Sequence, residues 1–213
     1  MQYKLLNFST LLFGLLFIIT SVSCDQLSKT KKTTNQFDKS GKKYSIVPET
    51  TSVFWTGYKT SSKTPVKGQF MKLNITNPKQ ANTAKEAIDG IEFSIPVSSL
   101  FSNEKSRDTK LKDFFFKVMD QTEFLSGNLN VENDTLINVS LKMNGITKTI
   151  PMSYFLNGQM LSMQGKIDLA TWNAQNALTS LHQVCKDKHT GEDGVSKTWS
   201  EVGLSVESYL KVE

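Results

Sequence analysis

From about residue 44 onward, apolar and polar residues alternate with a period of two, the signature of strands with one buried face. Ile91, Phe93, Ile95 and Val97 are separated by Glu92, Ser94 and Pro96, and Ile137, Val139, Leu141 and Met143 by Asn138, Ser140 and Lys142. Leu161, Met163, Gly165, Ile167 and Leu169 repeat the pattern, as do Val202, Leu204, Val206, Leu210 and Val212. Weaker alternation marks residues 53–58, 71–75, 125–131 and 150–156. About eight strands are therefore expected. Glu132-Asn133-Asp134, Asn144-Gly145 and Leu156-Asn157-Gly158 stand between neighbouring runs as turn formers, so the strands should be hairpin-linked and antiparallel. Such a series leaves open edges unless it closes. An up-and-down barrel follows more naturally than a sandwich, though periodicity is compatible with either.

Two stretches break the alternation. Residues 103–119 place Leu111, Phe114, Phe115 and Val118 at i, i+3, i+4 and i+7, which predicts an amphipathic helix with Asn103 as its N-cap. Asp108 near the helix start suits the helix dipole, and Arg107 is expected to bond a nearby carbonyl or carboxylate. That pair either locks the helix across a barrel end or meets a ligand head group. Residues 171–198 form a long excursion between the last two strands. In it Ala177, Leu178, Leu181 and Cys185 share one helical stripe, which Thr190-Gly191-Glu192-Asp193-Gly194 ends. The expected fold is all-β: an eight-stranded antiparallel barrel, lipocalin-like in plan, with one or two short helices.

The N-terminus reads as an address. Lys4 precedes the apolar run Leu11–Ile19, whose nine residues span about 14 Å as helix, too short for a ~30 Å hydrocarbon core. Residues 1–23 are accordingly expected to be a signal peptide rather than a membrane span. Ser21-Val22-Ser23-Cys24 resembles a bacterial lipobox, although that pattern usually carries Leu where Ser21 stands. The resemblance implies acylation of Cys24 and a lipoprotein anchored to a membrane of the bacterial cell envelope, on the periplasmic side or at the outer membrane. Residues 24–43, rich in Lys, Thr, Ser and Asn without periodicity, then read as a lipidated tether, and 44–213 as the folded domain.

The net charge of +5 comes from 25 basic and 20 acidic residues, with a concentration of lysines between Lys29 and Lys43. No basic face with interleaved aromatics appears in the body, which argues against nucleic acid as a partner. There are two cysteines; if Cys24 is acylated, Cys185 has no intramolecular partner and stability must come from a packed core. His182, Cys185 and His189, spaced by three and four, would share one helical face, an arrangement open to a metal or thiol site. The preferred reading is a structural cysteine beside surface histidines. No Ser-His-Asp arrangement or phosphate loop is evident, and Asn74-Ile75-Thr76 and Asn138-Val139-Ser140 are chance glycosylation matches.

Several segments, in order, resemble the YceI-like family. Phe54-Trp55-Thr56-Gly57-Tyr58-Lys59 followed by Val66-Lys67-Gly68-Gln69-Phe70 is similar to its first hairpin. Arg107-Asp108-Thr109-Lys110-Leu111 resembles its Arg-Asp-x-x-Leu helix, Phe124-Leu125-Ser126-Gly127 its next strand, and Gly145-Ile146-Thr147-Lys148 its Gly-Val-Thr-Lys turn. Two departures stand out. Lys63-Thr64-Pro65 occupies the place of a frequent His, and the 171–198 excursion replaces the usual Arg-x-Asp-Phe-Gly segment. The resemblance implies a lipocalin-like barrel that binds polyisoprenoids, with a bound lipid as its only cofactor-like component and no enzymatic activity.

An eight-stranded barrel is just wide enough to be filled by side chains or to hold one small ligand. The expected lining is Trp55, Met71, Leu73, Phe93 and Ile95 from the first strands and Leu125, Leu129, Val139 and Leu141 from the middle ones. Met152, Tyr154, Met163, Ile167, Leu204 and Val206 complete it. Burying one five-carbon isoprene unit contributes about 3–4 kcal/mol, so a few units suffice without any polar motif. The expected partner is an isoprenoid quinone, polyprenol or similar apolar lipid. A filled barrel serving as a structural or partner-binding lipoprotein is the alternative.

Overall fold

In the computed structural model, which describes residues 41–213, each alternating run becomes strand. The signal segment, Cys24 and the tether up to residue 40 lie outside the described residues. The strands are β1 (Tyr44–Ser45), β2 (Thr51–Lys59), β3 (Thr64–Phe70), β4 (Asn74–Ile75), β5 (Glu92–Pro96) and β6 (Leu100–Phe101). They continue as β7 (Phe124–Val131), β8 (Leu136–Met143), β9 (Ile146–Asn157), β10 (Met160–Asp168), β11 (Glu201–Tyr209) and β12 (Lys211–Val212). The helices are α1 (Ala84–Ile88), α2 (Lys105–Phe114) and α3 (Gln175–His189). None of the described helices is long and apolar enough to cross a membrane.

Ten strands form one curled antiparallel sheet in the order β4-β5-β7-β8-β9-β10-β11-β2-β3-β6. Its two ends belong to the same pair of chain runs. β3 continues through residues 71–73 into β4, and β5 continues through a 3-10 turn at Val97–Ser99 into β6. β3 pairs with β6 (Phe70 opposite Leu100) and β4 with β5 (Ile75 opposite Phe93). Between these pairs the Met71 N–H donates to the Ser99 carbonyl at 2.9 Å. Counted as runs, eight strands follow one another round a ring; the ten arise because two of the runs bend. β1 and β12 add a separate two-stranded ribbon, beyond which the backbones of Lys43 and Glu213 bond each other at 2.8 and 3.0 Å.

The bend changes which residues face inward. Val66, Phe70, Leu73 and Ile75 all line the interior, so the step from 70 to 73 is odd and the two-residue period slips at residues 71–72. Met71, expected to point inward, is instead 61% exposed. A second irregularity lies between β9 and β10. Their ladder runs only from Met160 opposite Asn157 to Gln164 opposite Ser153. Pro151, which has no N–H to give, and Gly165 stand just beyond its end. A 3-10 turn at Leu169–Trp172 packs against both strands there. Its Trp172 is buried and donates its indole N–H to the Leu141 carbonyl at 3.2 Å.

Glycine stands at three strand positions opposite larger residues. Trp55 faces Gly68 across the β2–β3 pair, Phe93 faces Gly127 across β5–β7, and Leu204 faces Gly165 across β11–β10. The large ring can then lie flat over the glycine backbone rather than cross the lumen. α1 packs against β1 and β7, and its N-cap Thr83 and Glu86 form a reciprocal capping box with bonds of 3.1 and 3.2 Å. Its Ala87 and Ile88 are fully buried, as is Leu210, with Ile46 nearly so.

A Cβ on Gly127 would lie 1.7 Å from the Ser140 carbonyl oxygen, which is backbone and has nowhere to go. Gly127→Ala is therefore expected to cost about 3 kcal/mol or more in chemical denaturation. Gly158→Ala, in open space at φ +60°, should cost only about 1–2 kcal/mol. Equal losses for the two would show that the close β7–β8 approach is not what requires glycine.

Candidate functional site

Two adjacent compartments follow one another inside the barrel. The upper one has a volume of about 370 Å³ and the lower about 110 Å³, and Phe70, Leu125, Leu141 and Leu204 are walls of both. The larger is within the size range of ordinary ligand pockets. From Thr51 in the lower compartment to Lys59 at the upper rim, β2 advances about 26 Å; at the usual barrel tilt this is about 20 Å of axis. The space therefore suits a linear chain.

Most of the expected lining meets here. Leu73, Phe93, Ile95, Leu129, Val139, Met152, Met163 and Val206 line the lower compartment, Trp55 and Ile167 the upper, and Leu125, Leu141 and Leu204 both. Apart from Thr51 the lower walls are entirely apolar. Two expected residues do not take part. Met71 lies outside for the reason given above. Tyr154 is buried but outside both linings, its hydroxyl donating to the Asn133 carbonyl at 2.8 Å. Phe70 and Leu100 were not in the expected set because both bends invert the alternation on which that set was built. Among the described residues, one buried side-chain polar atom lacks a partner, the indole nitrogen of Trp55.

The upper end is covered by helices. The N-cap of α2 is Glu104, not Asn103: the Glu104 carboxylate accepts from the backbone N–H of Ser106 (3.0 Å) and Arg107 (2.7 Å). Asn103 sits instead at φ 60° as the turn into the helix. Arg107 donates from Nε to the Ser102 hydroxyl (2.8 Å) and from Nη2 to the Ser102 carbonyl (2.6 Å), while Asp108 accepts from the Ser102 N–H (2.9 Å) and hydroxyl. The pair thus locks the helix start onto β6. α2 ends at Phe114, four residues before the expected stripe does. Phe115 (φ −119°, ψ −67°) distorts the chain into a 3-10 turn, so Phe115 and Phe116 turn inward while Phe114 and Val118 stay exposed. Phe116 packs edge-on against Phe70 at 6.3 Å inside the upper compartment.

The excursion supplies the rest of the cover. α3 runs to His189, up to the expected stop at Thr190, and its Leu178, Leu181 and Cys185 face the upper compartment. Lys110 Nζ donates to the Val184 carbonyl (2.8 Å) and Lys59 Nζ to the Lys188 carbonyl (3.1 Å). The segment after α3 is stitched to the β2–β3 hairpin by Thr60 N–H to Lys197 O (3.0 Å), Trp199 N–H to Tyr58 O (3.1 Å) and Trp199 Nε1 to Thr60 O (2.8 Å). His182, Cys185 and His189 do not converge as metal ligands. Both histidines bond the Thr198 hydroxyl through Nδ1, at 3.0 and 2.7 Å, and among the described residues no set of three or more His, Cys, Asp or Glu side chains gathers around one point. Burial pushes the Cys185 thiol up, against the pull of Lys110, Lys188 and Lys59. Burial, then the positive charges of Lys59 and Lys110 with His182 between them in weight, drives His189 down to about 4.

A curled antiparallel β-barrel with a largely apolar lumen and helices over one end is lipocalin-like in architecture. The chain belongs to the YceI-like family, whose domain model matches residues 44–206. A polyisoprenoid binding domain from Saccharophagus degradans, implicated in plant cell wall breakdown, shares the fold with a TM-score of 0.57 at 11% identity, over 80% of this chain and 98% of that one. BcnA of Burkholderia cenocepacia aligns at a TM-score of 0.49 and 16% identity, over 79% of this chain and 99% of that one. A YceI protein of Campylobacter jejuni aligns at 0.46 and 14% identity, over 70% and 86%. No curated protein sequence matches the chain.

Because His189 is neutral in the folded protein well below its ordinary value of 6.5, protonation favours unfolding. Stability contributed by this group is complete above pH 6.5 and falls as the pH drops from 6.5 towards 4. The His189 imidazole is expected to titrate near pH 4 by NMR, and His189→Gln to flatten the stability profile across that window. A His189 titration near 6.5 would contradict the packed, positively charged setting.

Proposed function

We propose that this protein binds one long apolar lipid, an isoprenoid quinone, polyprenol or similar molecule, inside its barrel, and that it is a carrier rather than an enzyme. The observation that carries this reading is the lumen itself: two adjacent, largely apolar compartments under a helical cover in a family member. The shared fold with a polyisoprenoid binding domain supports the same substrate class. Three isoprene units buried in such walls contribute roughly 10 kcal/mol. Immobilisation opposes this with roughly 4–15 kcal/mol, and no polar recognition is needed for useful affinity once the chain is long enough.

Export and anchoring form the second half of the proposal. Leu11–Ile19 followed by Ser21-Val22-Ser23-Cys24 supports secretion and acylation of Cys24, which would hold the barrel at a membrane of the cell envelope. A carrier held there sits beside the bilayer that supplies its ligand.

Native mass spectrometry of the protein purified from a bacterial envelope, with lipid extraction, should show a one-to-one adduct of isoprenoid mass. Leu204→Trp, which fills the wall shared by both compartments, should weaken binding by at least tenfold while cooperative unfolding is retained. A barrel that emerges empty and ignores added prenols and quinones would end the proposal. For the anchor, Cys24→Ser should move the protein from the membrane to the soluble fraction; unchanged membrane retention would contradict acylation at that residue.

A further inference from the structure

The apolar lumen has a charged mouth. Lys59, Arg107, Lys110 and Lys188 all line the upper compartment, together with a single carboxylate, Glu104. Glu104 already accepts from the first turn of α2 through both of its oxygens. Among the described residues, none of the four cations has a carboxylate within ion-pair distance; the described ion pairs involve Lys63, Lys85, Lys117, Lys166 and Lys211 instead. Four positive groups and one negative group therefore surround the opening of a low-dielectric tunnel, where charge repels charge more strongly than in water.

Helix capping does not account for the arrangement. Lys59 and Lys110 each donate to a carbonyl near the end of α3, a favourable place for a cation. An ammonium has three donors, so each keeps two more N–H groups for another acceptor. Arg107 uses Nε and Nη2 on Ser102, which leaves Nη1. Lys188 is exposed, and its positive charge acts on Cys185 together with those of Lys59 and Lys110. The cations come from three separate elements, β2, α2 and α3, and converge on the upper compartment.

We propose that the mouth is a head-group site for an anion, and that the ligand is an amphiphile carrying a phosphate or carboxylate on a linear apolar tail. The tail lies in the two compartments and the head is held by Lys59, Arg107, Lys110 and Lys188. The inference rests on the tunnel reading above and narrows it: an anionic prenyl phosphate or long-chain acid fits where a neutral quinone or prenol leaves four cations facing a single carboxylate. Electrostatic recognition of this kind weakens with salt, whereas tail burial does not.

The test compares geranylgeraniol, geranylgeranyl monophosphate and inorganic phosphate as ligands of the full chain, at low and high salt. The monophosphate is expected to bind at least tenfold more tightly than the alcohol at low salt, and salt should close most of that gap. Lys188→Gln, at an exposed position with little consequence for folding, should weaken the monophosphate several-fold and leave the alcohol unchanged. Lys59→Gln combined with Lys188→Gln should weaken the monophosphate further, and Lys188→Arg should restore it. Equal affinity for the two lipids, or the same loss for both in Lys188→Gln, overturns the head-group site but leaves the tunnel. Binding of inorganic phosphate as tight as that of the prenyl phosphate overturns it in favour of a free-anion site. Failure of both lipids to bind removes the tunnel reading and this inference together.

Discussion

A ring of interstrand hydrogen bonds holds open a space that its own side chains do not fill, and everything else in the structure follows from that mismatch. Eight strand runs fix a circumference, and the ladders keep the wall from collapsing even where an inward residue is small. The glycines opposite Trp55, Phe93 and Leu204 are places of close approach, where a Cβ would meet the Trp55 ring, the Ser140 carbonyl or the Met152 side chain. Empty apolar volume carries a cost of about 24 cal/mol per Å³. A barrel that carries several hundred Å³ of it gives up stability that an apolar guest would return.

The ends of the barrel are treated differently. Below, α1 and the β1–β12 ribbon bring fully buried Ala87, Ile88 and Leu210 together, and the Tyr154 hydroxyl spends its bond on backbone. Above, the cover consists of two helices tied by lysine-to-carbonyl bonds and by the Phe70–Phe116 contact. Side-chain bonds to helix ends part more readily than ladders of backbone pairs, so the helical cover is the part of the barrel that yields first. The long excursion belongs to this cover: it is stitched to the β2–β3 hairpin on one side and wedged by Trp172 where the β9–β10 ladder stops on the other.

Much of this is legible in the sequence. Strict alternation in 137–143, 161–169 and 202–206 locates β8, β10 and β11 and the direction of their side chains, and the Ala177–Leu178–Leu181–Cys185 stripe locates α3. What fails has a common cause. Alternation carries no information about a bend, and both bends, at 71–73 and 97–99, shift the inward set by one residue, so Met71 is placed on the wrong face and Phe70 and Leu100 are missed. The helical stripe of 103–119 breaks for a related reason: Phe115 leaves α-helical geometry, which exchanges Phe114 for Phe116 in the interior. The charged mouth is invisible along the chain because Lys59, Arg107, Lys110 and Lys188 come from three elements that only the closed fold brings to one opening.

The central claim is that a linear apolar guest occupies the lumen. The most direct measurement is a crystal structure of the protein soaked with a long-chain prenol brominated at its tail, read by anomalous scattering. The account predicts a bromine peak in the lower compartment, among Leu129, Val139, Met163 and Val206, with the chain rising past Leu125 and Leu204 towards the helices. Bromine found only on the outer surface, with the inward side chains meeting across the axis, would contradict it.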